Sequence, residues 1–388
     1  MDPRDQTKSL YSHRILRKHM PELDVFRGIA IALVLVYHFF YWTSNTQPNR
    51  IANAFTHLTL FGWLGVNLFF VLSGFLISGI LMDAKGRPDY FRSFYARRVR
   101  RIIPAYSLCI LLLIVLGMLS LGGFLRAISF TANYNLIPAK SSFGPFWTLS
   151  VEEQFYLFWP LLILLFNRRV FTAICIGICL LDPVLRYITL LPGHNIGDPH
   201  QATYLIADNF AIGALGAIFF RSAHASKRNA LRLSGALVLI ASVLLAVGLQ
   251  HGILHRTEPF GAAFQVVPFY LLFAAAIFGS LALQLRFFSG PATYSLRFLG
   301  DISYGLYLYQ LIFFTLYDWA FPVEKYYGHF IEEVLRAFVC ISVAIAFSWA
   351  SRWYYEEIFL RKRPAKAKPG SIQPPQAATD AVSNSLSD

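Results

Sequence analysis

The sequence predicts an all-α membrane protein with about ten transmembrane helices and both termini in the cytoplasm. Of its 388 residues, 56% are hydrophobic and only 14% are charged, whereas soluble domains carry about 25% charged residues. The mean hydropathy is +0.50. A chain with so little charge is expected to have lipid around much of its surface, which excludes an ordinary soluble enzyme.

Ten apolar stretches are long enough to cross a bilayer, since a helix needs about 18 or more residues to span roughly 30 Å of hydrocarbon. The fourth, fifth and sixth of these contain or adjoin acidic residues. The stretches are 24–42, 61–82, 102–122, 146–166, 170–191, 202–220, 233–250, 261–283, 298–321 and 332–353.

The 34 Lys and Arg residues fall mostly into alternate loops, as short cytoplasmic loops require. The predicted loops 83–101 and 221–232 are rich in them, as are the two termini, which supports ten crossings. The net charge of +13 therefore marks one side of a membrane. No nucleic-acid partner is predicted, because the basic residues do not gather on a soluble face.

The domain organisation follows from this pattern. Residues 1–22 are predicted to be a cytoplasmic basic segment and 23–361 a ten-helix membrane domain, in contact with membrane lipids. Residues 362–388 are rich in Pro, Ala and Ser without apolar periodicity, and we expect a disordered cytoplasmic tail.

Ionisable side chains inside apolar stretches indicate function, because each costs about 2.5–3.5 kcal/mol on insertion scales. Arg27 and His38 are eleven residues apart, so in an α-helix they share a face to within about 20°. Arg27 would lie near the cytoplasmic boundary and His38 in the outer half. Taken singly, each also fits a structural role: Arg27 with its charge reaching the membrane surface, and His38 hydrogen-bonded inside the bundle.

Glu152 lies near the outer end of the fourth stretch, at a depth similar to that of His38. A carboxylate and an imidazole at matching depth can activate a hydroxyl by general base catalysis, so both are candidate catalytic residues. Alternatively, Glu152 and Glu153 are first-turn carboxylates favoured by the helix N-terminus. Asp182 and Arg186, spaced i, i+4, are expected to neutralise one another.

Arg98 and Arg101 belong to the basic run 94–104. Guanidinium groups suit phosphate recognition, although juxtamembrane basic runs also reflect topology or attraction to anionic lipid. No metal site is predicted, because Cys175 and Cys179 have no His or further Cys nearby.

Several motifs, in order, resemble the integral-membrane acyltransferase-3 family and together extend from residue 23 to about 361. The family's Arg-x10-His pattern fits Arg27 and His38, its Arg-x-x-Arg pattern fits Arg98 and Arg101, and its acidic position fits Glu152. The matching stretches are ELDVFRGIAIALVLVYHFF at 22–40, GVNLFFVLSGFLIS at 65–78, FYARRVRRIIPAY at 94–106, FWTLSVEEQFYLFWPLLI at 146–163 and, more weakly, ISYGLYLYQ at 302–310.

The chain also departs from the family pattern. Gln310 stands where many relatives have His, and Asn67 where many have Asp. Relatives often have an arginine just before the acidic residue of the sixth stretch, and none directly precedes Asp208 here. Ile358 stands where a proline often follows the terminal glutamate, which is Glu356 in this chain. No role is therefore assigned to Gln310 or Asp208.

The resemblance implies an O-acyltransferase of the bacterial cytoplasmic (inner) membrane, without a permanently bound cofactor, acting alone or as a homo-oligomer. The donor would be cytoplasmic acyl-CoA, with acetyl-CoA favoured. The acceptor would be a hydroxyl of a carbohydrate, a lipid-linked glycan or another hydroxylated molecule at the outer face. Arg27, Arg98 and Arg101 would bind the coenzyme. His38 and Glu152 would act on the acceptor, with His38 either a general base or an acyl carrier.

Two other functions fit parts of the sequence. A proton-coupled small-molecule transporter would also carry ionisable residues at membrane depth, but the chain has no evident inverted repeat with paired broken helices. A membrane scaffold would leave the cost of those ionisable residues unexplained.

Overall fold

The computed structural model describes residues 15–17, 19–41, 59–134, 136–140, 143–192, 198, 200–254, 258–321 and 330–360. Within these ranges the chain forms helices joined by turns, without a β-strand. The all-α prediction is confirmed. Most of the predicted segment 1–22 and all of the predicted tail 362–388 lie outside the described residues.

Within the described residues, each of the ten apolar stretches contains a helix. Two π-helical turns, Tyr37–Tyr41 and Ser351–Glu356, extend the first and twelfth helices. In chain order the helices are α1 (Pro21–Val36), α2 (Leu64–Ala84), α3 (Tyr90–Val115), α4 (Leu121–Ile128), α5 (Phe146–Leu165), α6 (Arg168–Thr189), α7 (Asp208–Phe219), α8 (Lys227–Gln250), α9 (Pro259–Phe264), α10 (Val266–Leu283), α11 (Tyr294–Ala320), α12 (Phe330–Ala350) and α13 (Glu357–Leu360).

Five helical spans of the described chain are both long and apolar enough to cross a membrane. Helix α8 illustrates the lipid-facing surface, since it exposes Leu239, Val243 and Val247. The protein is therefore a multi-pass helical membrane protein, while ten crossings and cytoplasmic termini stay predictions. The five spans are Leu60–Ala84, Arg168–Thr189, Lys227–Gln250, Pro259–Leu283 and Ile331–Leu360.

The predicted loop over 83–101 is wrong from Tyr90 onward, where α3 begins. Tyr90 and Phe94, one turn apart, are both buried and continue the inner face of the apolar helix that follows. Arg92 between them and Ala96 just after them favour helix. The basic run is therefore helical, which fixes the directions of its side chains. The same helix ends at Val115, earlier than the predicted 122.

Two helix crossings that support the site depend on glycine. Gly28 of α1 packs against the backbone of α11, and Gly300 of α11 packs against the backbone of α1. Gly74 of α2 and Gly213 of α7 pack in the same reciprocal way. A Cβ atom at any of these positions would overlap a carbonyl oxygen of the facing helix. Small residues at such crossings are typical of membrane helix pairs.

Candidate active site

Three arginines from two helices line one cavity, which we call the arginine cavity. Arg27 comes from α1, and Arg98 and Arg101 come from consecutive turns of α3. Their guanidinium groups lie close enough to act electrostatically on one another. The cavity has a volume of about 200 Å³. The structure thus brings together the three residues that the sequence assigned to donor binding.

Each of these arginines is held differently. Arg27 donates to the carboxylate of Asp24, one turn earlier in α1, at 3.1 Å. The Arg98 guanidinium lies over the ring of Tyr156, 5.0 Å from its centroid. Such cation–π contacts fix a cation while leaving its N–H groups available for a ligand. Arg101 remains exposed.

Glu152 lines the arginine cavity as well. Its Oε1 accepts a hydrogen bond from the Ser73 hydroxyl at 3.1 Å, and its Oε2 accepts one from the Tyr156 hydroxyl at 3.0 Å. Its charge also acts on Arg98 and Arg101. Three guanidinium groups thus face a single carboxylate in the lining of this cavity, and the excess positive charge favours an anionic ligand.

His38 lines a second cavity of about 310 Å³, which we call the histidine cavity. The residue lies in the π-helical turn that follows α1, a feature that frequently occurs at functional sites. Its imidazole lies next to the side chain of Gln310 on α11. Phe143 and Trp147 provide part of an aromatic wall. The volume is at the lower end of the range for small-molecule pockets, about 300–1,000 Å³.

The two cavities adjoin. Val66, Phe70 and Tyr307 line both of them. Of these three, only Tyr307 has a polar side chain, and its hydroxyl accepts a hydrogen bond from Thr148 at 2.7 Å. The arginine cavity and the histidine cavity are therefore separated by a thin wall of three side chains.

The pairing of His38 with Glu152 stays a prediction. The hydrogen bonds of Glu152 come from Ser73 and Tyr156, and the two candidate catalytic residues line different cavities.

Sequence reasoning also missed Ser73, Tyr156 and Tyr307. The spacing of Tyr156, four residues after Glu152, was a usable signal, because i, i+4 side chains meet on a helix surface. Ser73 and Tyr307 reach the site only through the packing of α2 and α11, which no local pattern indicates.

A buried ion pair lies behind the histidine cavity. Arg186 of α6 donates to Oδ2 of Asp208 at 2.7 Å, and the side chains of both are fully buried. Arg186 thus forms its salt bridge with Asp208, whereas Asp182, its predicted partner, attracts the guanidinium without a salt bridge. Asp182 instead accepts a hydrogen bond from the backbone N–H of Asp208 at 2.9 Å. The packing of α6 against the start of α7 places Asp208 nearer to the guanidinium than the i, i+4 partner.

A cationic cavity that adjoins a histidine-containing cavity in a helical membrane protein fits a membrane-embedded group-transfer enzyme. Comparison with known proteins defines this class more closely. The chain belongs to the acyltransferase-3 family, whose acyltransferase domain matches residues 20–353. This confirms the resemblance seen in the sequence motifs.

Several relatives have names that state an activity. The chain is 27% identical over 343 residues to the peptidoglycan O-acetyltransferase OatA of Listeria monocytogenes, an alignment that covers 78% of the chain and 50% of that protein. It is 30% identical over 213 residues to a Bacillus subtilis protein named "Putative peptidoglycan O-acetyltransferase YrhL", covering 48% of the chain and 31% of the relative. A third, the "Putative O-acetyltransferase SAS0844" of Staphylococcus aureus, is 26% identical over 397 residues, covering 94% of the chain and 60% of the relative.

The chain thus spans from about a third to three fifths of the length of these relatives. No solved structure matches it.

Proposed function

We propose that this protein is a membrane O-acyltransferase that moves an acetyl group from acetyl-CoA to a hydroxyl of a carbohydrate at the outer face of the bacterial inner membrane. The observation that carries the proposal is the junction of two chemically different cavities. One is lined by Arg27, Arg98 and Arg101, and the other by His38. The acyltransferase-3 family match supports the reaction type.

The arginine cavity suits the donor. Coenzyme A is polyanionic, and guanidinium groups bind phosphate through directed, charge-assisted hydrogen bonds. Three neighbouring guanidinium groups repel one another when the cavity is empty, and an anion removes that repulsion. Glu152, with hydrogen bonds from Ser73 and Tyr156, would then lie beside the donor and keep these two hydroxyls oriented.

The histidine cavity suits the acceptor. A hydroxyl bound there would attack the thioester carbonyl carbon, forming the new C–O bond while the C–S bond breaks. His38 would take the hydroxyl proton, and that proton would end on the coenzyme thiolate. A positioned base of this kind contributes roughly 10²–10⁴-fold to the rate. His38 as a transient acyl carrier would divide the same transfer into two steps.

The acceptor class follows from the relatives and from the cavity. Two of the relatives carry peptidoglycan in their names, and the aromatic wall of Phe143 and Trp147 offers an apolar surface to the C–H face of a sugar. The transporter alternative gains nothing from the family match, which is to an acyltransferase domain.

The test is acetyl transfer by the full chain in lipid nanodiscs, which expose both faces. Labelled acetyl-CoA would be supplied with a panel of carbohydrates, including an uncross-linked peptidoglycan disaccharide. We expect wild-type protein to acetylate at least one carbohydrate, and His38→Ala to lose at least 100-fold in rate. His224→Ala, an exposed histidine outside both cavities, is the matched control. Undiminished transfer by His38→Ala would refute the role of His38.

A further inference from the structure

A chain of buried polar side chains leads from the Arg186–Asp208 ion pair to the histidine cavity. Oδ1 of Asp208 accepts hydrogen bonds from the backbone N–H of Asn209 at 3.0 Å and from its side-chain Nδ2 at 2.9 Å. Oδ1 of Asn209 in turn accepts a hydrogen bond from Nδ2 of Asn67 at 3.1 Å. Asn67, on α2, lines the histidine cavity.

This chain fixes the direction of each amide. Nδ2 of Asn209 faces two acceptors, the Asp208 carboxylate and the carbonyl of Ile206, so its Oδ1 must face the other way, toward α2. Only a donor can bind that oxygen, and therefore Asn67 must turn its NH₂ group to Asn209. Oδ1 of Asn67 therefore faces away from Asn209.

The residues of this chain are buried between closely packed helices. Arg186, Asp208 and Asn209 are each 0% exposed, whereas Asn67 keeps 7% exposure. Asp208 and Asn209 form the first turn of α7, and the reciprocal glycine contacts between α2 and α7 hold the backbones at close approach. A buried ion pair, costly to bury, thus orients a single neutral amide at the edge of a cavity.

We infer that Asn67 is an acceptor-binding residue that accepts a hydrogen bond from a sugar hydroxyl in the histidine cavity, and that Arg186, Asp208 and Asn209 are its positioning residues. The inference rests on the proposed function. A carbohydrate fits this arrangement because its hydroxyls donate to Oδ1 of Asn67 while its apolar face meets the aromatic wall. A purely structural tie between α2 and α7 is the competing role, and it would not affect the acceptor selectively.

The test uses the full chain in nanodiscs with saturating labelled acetyl-CoA and varied concentrations of the peptidoglycan disaccharide, or of the carbohydrate that wild type acetylates best. Asn67→Leu keeps the branching of the side chain and removes both of its hydrogen bonds. Asn209→Ala leaves Asn67 in place and removes its anchor. Asn229→Leu is the control, since it loses a comparable amide hydrogen bond, to the carbonyl of His224, outside both cavities.

We expect Asn67→Leu to raise the acceptor KM about tenfold, the effect of losing one hydrogen bond. Asn209→Ala should raise it by a smaller factor. The Kd of acetyl-CoA, measured separately, should stay within about twofold of wild type for Asn67→Leu and Asn209→Ala. For the control Asn229→Leu, the acceptor KM and the Kd of acetyl-CoA should both stay within about twofold of wild type. This separation of acceptor KM from donor Kd is what a structural tie would not produce.

Three outcomes would count against the inference. An unchanged acceptor KM in Asn67→Leu overturns the assignment of Asn67 and leaves the proposed function standing. Parallel loss of donor binding and acceptor binding identifies a structural tie and also overturns it. If wild-type protein transfers acetyl groups to no carbohydrate of the panel, the proposed function fails, and the inference fails with it.

Discussion

The hydroxyls of Thr148 on α5 and Tyr307 on α11 are hydrogen-bonded at 2.7 Å where the two cavities meet. Thr148 also lies 2.9 Å from the carbonyl oxygen of Pro145. Its single proton can therefore be given either to that carbonyl or to Tyr307. The wall between the arginine cavity and the histidine cavity is thus held by a hydrogen bond that can rearrange by rotation of hydroxyls alone.

The first prediction concerns this wall. Tyr307→Phe keeps the ring and removes the hydroxyl, so the hydrogen bond to Thr148 is lost at the junction through which an acyl group would pass. We expect the transfer rate to fall about tenfold with unchanged affinity for acetyl-CoA, measured by kinetics and equilibrium binding in nanodiscs. Tyr309→Phe is the control, because the Tyr309 hydroxyl bonds Ala105 and Ser351 in the core, away from both cavities. An equal loss in both variants would contradict the prediction.

The second prediction separates specific arginines from bulk positive charge. The double variant Arg98→Ala, Arg101→Ala removes two guanidinium groups from the arginine cavity, whereas Arg97→Ala, Arg100→Ala removes two exposed ones from the same helix without touching the cavity. Both variants change the net charge equally. We expect the Kd of acetyl-CoA to rise at least 30-fold in the first and less than about threefold in the second, by isothermal titration. Similar Kd values in the two variants would refute a specific phosphate site.

Features set by residues close together in the sequence could be predicted, whereas contacts between distant segments of the sequence could not. The helices could be predicted because an apolar run of membrane length has few alternatives. The grouping of Arg27 with Arg98 and Arg101 followed only from family resemblance, since the contact joins α1 to α3. Asp208 was not predicted as the salt-bridge partner of Arg186. The i, i+4 spacing identifies Asp182 as a neighbour on the same helix but gives no information about carboxylates on other helices. The chain has no arginine directly before Asp208, and the structure shows that Arg186 provides that cation from another helix.

The third prediction tests whether Glu152 takes part in the transfer step or in binding of the donor. The negative charge of Glu152 offsets the positive charge of Arg98 and Arg101. Removing the negative charge should therefore strengthen the attraction of the cavity for an anionic donor. We expect Glu152→Gln to lower the rate of transfer at least tenfold while acetyl-CoA binds as tightly as to wild type or more tightly. Rates and Kd values would be measured on the same preparation. Weaker donor binding in this variant would show that Glu152 holds the donor and does not merely act beside it.

The fourth prediction concerns membrane topology. Position 50 lies outside the described residues, in the loop predicted between the first two crossings and thus on the outer face. A cysteine in place of Arg50 should react with an impermeant thiol reagent added to intact cells, and a cysteine in place of Arg97 should react only after permeabilisation. The parent for both is a chain without Cys109, Cys175, Cys179 and Cys340. The reverse pattern of labelling would invert the orientation and place the arginine cavity toward the outside.

The fifth prediction concerns stability and compares two Asp–Arg pairs of the same chain. Asp208→Asn removes the carboxylate that forms the salt bridge with the buried guanidinium of Arg186, and breaking a buried pair typically costs about 3–5 kcal/mol. Asp83→Asn breaks the pair with Arg221, at 2.6 Å but with the Asp83 side chain 45% exposed, and an exposed pair contributes about 0–1 kcal/mol. We expect a large fall in the thermal unfolding midpoint for the first variant and almost none for the second, measured by intrinsic fluorescence in the same detergent. If Asp208→Asn lowers the unfolding midpoint as little as Asp83→Asn does, the Arg186–Asp208 pair does not stabilise the fold. In that case its burial behind Asn67 would be explained by orientation of the cavity edge alone.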